Sequence, residues 1–138
     1  MRRWILVIVV VVFAAAVLGP LVLGFGVRAA PPNPDTAAVM QKKLLHAQKV
    51  LEGIALADLD KVNEHARELS ALSRQAQFGV LKTPQYELCA NEFRRALGDM
   101  ERGARQKNLD AATLAYVDMT MSCVRCHKHV REVRVARN

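Results

Sequence analysis

Alternation of apolar and polar residues, the mark of a half-buried strand, is missing from this 138-residue chain. An internal repeat and a low-complexity tract are missing too, which excludes a β fold and a repeat array. No glycine-rich phosphate loop and no nucleophile–base pair are present, and the carboxylates are scattered over polar faces. Nothing in the residue pattern points to an enzyme. Aromatic residues make up 5% of the chain, and no aromatic-rich basic patch accompanies the net charge of +7. Nucleic acid is therefore not an expected partner. Cysteine is limited to Cys89, Cys123 and Cys126. A second C-x-x-C pair is lacking, which leaves a structural zinc cage short of ligands.

Charge is absent from Trp4 to Val27, a run preceded by Arg2 and Arg3 and followed by Ala29 and Ala30. A positive start, an apolar run and small residues after it are the parts of a secretory signal. The run is also long enough to span a bilayer if it is retained. Residues 1–30 are therefore read as a signal peptide or a transmembrane anchor helix. Both readings place residues 31–138 outside the cytoplasm, in the periplasm, either soluble or held to the inner membrane through residues 4–27. This second part carries 17 Lys and Arg against 13 Asp and Glu, a mildly basic charge of +4.

Pro31, Pro32 and Pro34 form a stiff connection, and Asp35 offers an N-cap oxygen. Apolar residues then recur at helical spacing: Ala37, Met40, Leu44, Ala47, Leu51 and Ile54. The pattern breaks near Ala57, and Asp58 or Asp60 can cap a second helix containing Leu59, Val62, Ala66, Leu69, Ser73 and Ala76. Gly79 suits the position after its end. Thr83-Pro84 starts a third helix with Tyr86, Cys89, Phe93, Ala96 and Met100 inward. Asn108 can end it and Asp110 can cap a fourth, whose inward face reads Ala112, Tyr116, Met119, Cys123, Cys126, Val130 and Val133. Four amphipathic helices with short joints imply an all-α, antiparallel up-down-up-down four-helix bundle in residues 31–138.

Residues 123–127 read CVRCH. C-x-x-C-H is the attachment sequence of c-type haem. On a helix, positions i, i+3 and i+4 share a face, so both thiols and the imidazole point together. Each thiol adds to a haem vinyl group and the histidine comes under the iron. Cysteines three apart on one helix rarely reach disulfide geometry, which disfavours the competing bridge.

The sequence at this point resembles the class II cytochromes c, the cytochrome c′ family, over about residues 35–135. The resemblance rests on four helices, an export signal and CVRCHKHVR near the C-terminus. It implies one covalent haem c on Cys123 and Cys126, with His127 on the iron and Arg131 at a haem carboxylate. Val130 stands where the family often has an aromatic residue. Low-spin members place a methionine from the first helix opposite the histidine, and Met40 has the matching depth and face. The expected function is then electron transfer through a His127/Met40 iron. The alternative is a five-coordinate haem that binds a small gas such as nitric oxide.

The other histidines are read as structural. His46 is expected in solvent, His65 half-buried in packing and His129 on the surface. Cys89 is read as a buried free thiol, with a disulfide-linked homodimer as the lesser reading. Arg125, Lys128, Arg131, Arg134 and Arg137 form either a solvated helix end or a docking patch for an acidic redox protein.

Overall fold

The computed structural model describes residues 34–76 and 81–136. All regular structure among them is helical: α1 Pro34–Ala55, α2 Leu59–Ala76, α3 Pro84–Arg105 and α4 Leu109–Val135. The helices contain 22, 18, 22 and 27 residues. Residues 1–30 and Gly79 lie outside the described residues. Among those described, no helix is long and apolar enough to cross a membrane.

Two connections of the same design join the helices in pairs. After α1, Ala57 takes a left-handed backbone (φ 54). Its N–H donates to the Ile54 carbonyl (3.1 Å), and the Asp58 N–H donates to Gly53 (2.8 Å). After α3, Lys107 has φ 56. Its N–H reaches Ala104 (3.1 Å), and that of Asn108 reaches Gly103 (2.9 Å). Each is a Schellman ending, which satisfies carbonyls that the helix terminus leaves open. The residue after each left-handed turn then caps the next helix. Asp58 Oδ1 accepts from the Lys61 N–H (3.0 Å), and Asn108 Oδ1 from that of Ala111 (2.9 Å). The two units are related by a shift of 50 residues that a search for repeated residue types does not see. Their shared signal is a glycine, then Asp or Asn, then Leu-Asp.

Some expected end positions shift. Asp58, not Asp60, caps α2, and Asn108 caps α4 rather than closing α3, which leaves Asp110 in the first turn. Asp35 sits within the first turn of α1, which already begins at Pro34. A carboxylate there still faces the positive end of the helix dipole. Thr83 behaves as expected: its hydroxyl accepts from the Tyr86 N–H at 3.2 Å, and Pro84 opens α3.

α1 packs on α2, α2 on α3 and α3 on α4, whereas α1 and α4 scarcely touch. The core is built on Val50, Val62, Leu69, Phe93, Leu97, Met100 and Met119. Most inward residues of α2, α3 and α4 fall where helical periodicity puts them. α1 departs from its pattern. Val50 is fully buried, while Leu44 and Leu51 are 61% and 50% exposed. Val50 enters the core, Met40 and Leu44 border a gap toward α4, and Leu51 is exposed. Periodicity alone does not distinguish these two adjacent faces.

Candidate functional site

The gap between α1 and α4 is a cavity of about 380 Å³ with a mostly apolar lining. Met40, Leu44 and Ala47 of α1 form one wall, and Met119, Cys123, Cys126 and His127 of α4 form another. Leu69 and Ser73 of α2 and Tyr86, Cys89 and Phe93 of α3 close the back. Its size lies in the range of small-molecule and cofactor pockets, about 300–1,000 Å³.

The motif residues reach this cavity because α4 stays regular through residues 123–127. Cys123 and Cys126 are half-buried and unbridged, as is the deeply buried Cys89. Burial pushes the Cys123 thiol up, against an opposing pull from the Lys43 charge. Burial also lifts Cys126, to about 11, with the neighbouring Cys89 thiol as the next cause. Both cavity-facing thiols of the motif are therefore protonated near neutral pH. The Cys89 sulfur accepts from Gln85 Nε2 at 3.7 Å.

His127 lies at the cavity rim. Desolvation of the imidazole, aided by the charges of Arg131 and Lys43, holds it below its usual value. It is accordingly neutral at pH 7, the form in which a ring nitrogen offers a lone pair to a metal. Arg131 is exposed, near enough to His127 to be felt electrostatically but not part of the cavity lining. Met40 is half-buried and lines the cavity from α1.

Sequence reasoning missed Lys43. Its ammonium stands 4.0 Å from the centre of the Phe93 ring, a cation–π contact inside the cavity. Burial lowers its pKa, partly offset by the nearby Cys123 and Cys126. The signal was available, since Lys43 follows Met40 by three residues and so shares its face. Lysine in that position reads as a solvated residue until the gap beside α1 is known.

One structural reading holds and two change. Cys89 is 1% exposed, so it is the buried free thiol and is closed to an intermolecular disulfide. His46 is half-buried rather than solvated, with its Nδ1 3.2 Å from Nδ1 of His65 across α1 and α2. His129 is half-buried too, and its Nε2 lies 2.8 Å from the Thr83 hydroxyl at the start of α3. Arg125 bonds Glu92 of α3 (2.8 Å), so part of the basic cluster ties α4 to its neighbour.

Among the described residues, no three His, Cys, Asp or Glu side chains converge as a cage for a metal ion. Cys123, Cys126 and His127 line one wall of the cavity and the Met40 thioether another. No family model, curated protein or solved structure matches this chain.

Proposed function

We propose that this protein is an exported c-type cytochrome of the class II kind, carrying one haem c in the cavity between α1 and α4 and transferring electrons. The observation that supports this most is the meeting of CVRCH and Met40 at one apolar cavity, from helices that otherwise scarcely touch. The four helices then run alternately up and down, which sets the start of α1 beside the end of α4. Residues 1–30 export the chain to the periplasm or anchor it there.

When bound, haem supplies a one-electron iron couple. Each remaining task falls to a residue of this chain. The Cys123 and Cys126 thiols hold the group covalently. His127 would offer a neutral imidazole nitrogen to the iron, and Met40 a thioether. Arg131, beside His127 but outside the lining, would give a haem carboxylate its counter-charge, and Lys43 is a cation within the cavity. Phe93, Leu69 and Met119 exclude water, and an apolar Met/His site raises the potential into the range of electron carriers. The basic end of α4 is the docking face for an acidic redox protein, where charge chiefly sets the on-rate.

The attachment reading is tested by Cys123→Ala combined with Cys126→Ala in cells that attach haem in the periplasm. The wild-type chain should keep its haem colour through denaturation and organic extraction, while the double variant should lose it. Colour retained covalently by the double variant would contradict the assignment. A five-coordinate, gas-binding haem is the outcome to expect if Met40 does not reach the iron.

A further inference from the structure

α4 is apolar on two opposite faces. One face enters the core through Ala112, Ala115, Met119 and Ser122. On the other, Leu114, Val117, Met121 and Val124 are 69%, 51%, 48% and 54% exposed. Their spacing of three, four and three residues sets them in one row, the a/d spacing of a helix that pairs with another helix. Single exposed apolar residues need no explanation, but four in register on one outward row form a contiguous patch.

The ends of the row carry charges of opposite sign. Asp110 lies four residues before Leu114, and Lys128 four residues after Val124, both exposed. The N-terminal half of α4 also carries Asp118, and the C-terminal half Arg125, Arg131 and Arg134. The nearest acid to Lys128 within its own chain is Glu132, at 4.0 Å on the surface.

We infer that this outward row of α4 is a self-complementary interface through which two copies of the chain pair, with their α4 helices antiparallel. A two-fold axis near residue 119 sets Leu114 against Val124 of the second copy and Val117 against Met121. The same register sets Asp110 against Lys128, and each contact occurs twice, as an isologous interface requires. Every layer joins an a position to a d position, the match that antiparallel helices make. Parallel pairing would instead set acid beside acid and base beside base. The interface lies on the side of α4 away from the cavity, so it leaves the candidate site open and is independent of the cofactor assigned there.

Sedimentation of the full chain in mild detergent, over a concentration series, tests this. The wild-type chain should move from monomer to dimer as concentration rises. Met121→Glu, which buries a carboxylate in the apolar row, should leave only monomer. Asp110→Lys and Lys128→Asp should each weaken dimerisation about tenfold by creating two like-charge contacts, and the two together should restore it. Helical circular dichroism guards against loss of the fold. Rescue by the double reversal separates this interface from association through the apolar N-terminal segment. A wild-type chain that stays monomeric, a Met121→Glu variant that still dimerises, or a double reversal no better than the singles would overturn the inference.

Discussion

Met40 is the residue on which the electron-transfer reading turns. It is the methionine that α1 contributes to the cavity wall, facing the motif of α4. Met40→Ala should convert a low-spin haem to a high-spin one that binds added gas, read directly in the absorption spectrum. An unchanged spectrum would remove Met40 from the iron. Cys126 supplies a second prediction. Its ordinary pKa is 9.0 and its folded value is about 11, so on raising the pH the unfolded chain loses this proton first. The stability tied to this thiol is present in full below pH 9.0 and declines toward 11. Chemical denaturation of the cofactor-free protein should show this decline, and Cys126→Ala should flatten it. A thioether carries no proton, so the loaded protein should lack it as well. At this scale the motif was fully legible, because thiols and imidazole at i, i+3 and i+4 share a face on any regular helix. Lys43, His46 and His129 were not, because their partners Phe93, His65 and Thr83 lie on other helices, and sequence spacing carries no information about contacts between helices.

The helices themselves were legible where pattern and caps agreed. Thr83-Pro84, with an apolar row behind it, marked α3 to the residue. The boundaries at 57–60 and 107–110 were less clear, because several acceptors compete for the cap and the left-handed residues are Ala57 and Lys107 rather than glycine. A side chain in that conformation costs about 1 kcal/mol, which glycine largely avoids. Ala57→Gly and Lys107→Gly should therefore each raise stability by about 0.5–1 kcal/mol, measured by urea denaturation. Gly103→Ala should act in the opposite sense. A Cβ there would stand 2.8 Å from the Ala112 backbone nitrogen of α4. Since the obstacle is backbone, the helices must separate, at a cost of about 1–3 kcal/mol. In the inward row of α1, Ala47 and Ile54 pack against the core while Leu44 and Leu51 are exposed, because an amphipathic helix beside a cavity has a packed flank and an unpacked one, both apolar.

At the scale of the whole, the described residues form a four-helix arrangement in which three helix pairs pack and the fourth pair, α1 with α4, stands apart. Four helices follow from periodicity, but the unfilled gap does not, because it depends on how two helices splay. The gap leaves apolar residues such as Leu44 exposed to water. A ligand that fills it and binds only the folded state adds stability by mass action, and a covalent one cannot dissociate. The loaded protein should therefore melt well above the cofactor-free one, and equal melting temperatures would argue that the cavity holds nothing large. The most direct test of the central claim is the absorption spectrum of the full chain, oxidised and reduced, purified from cells that attach haem in the periplasm. A covalently bound low-spin haem with a methionine-to-iron charge-transfer band is the predicted result, whereas a chain recovered without covalent haem would contradict it.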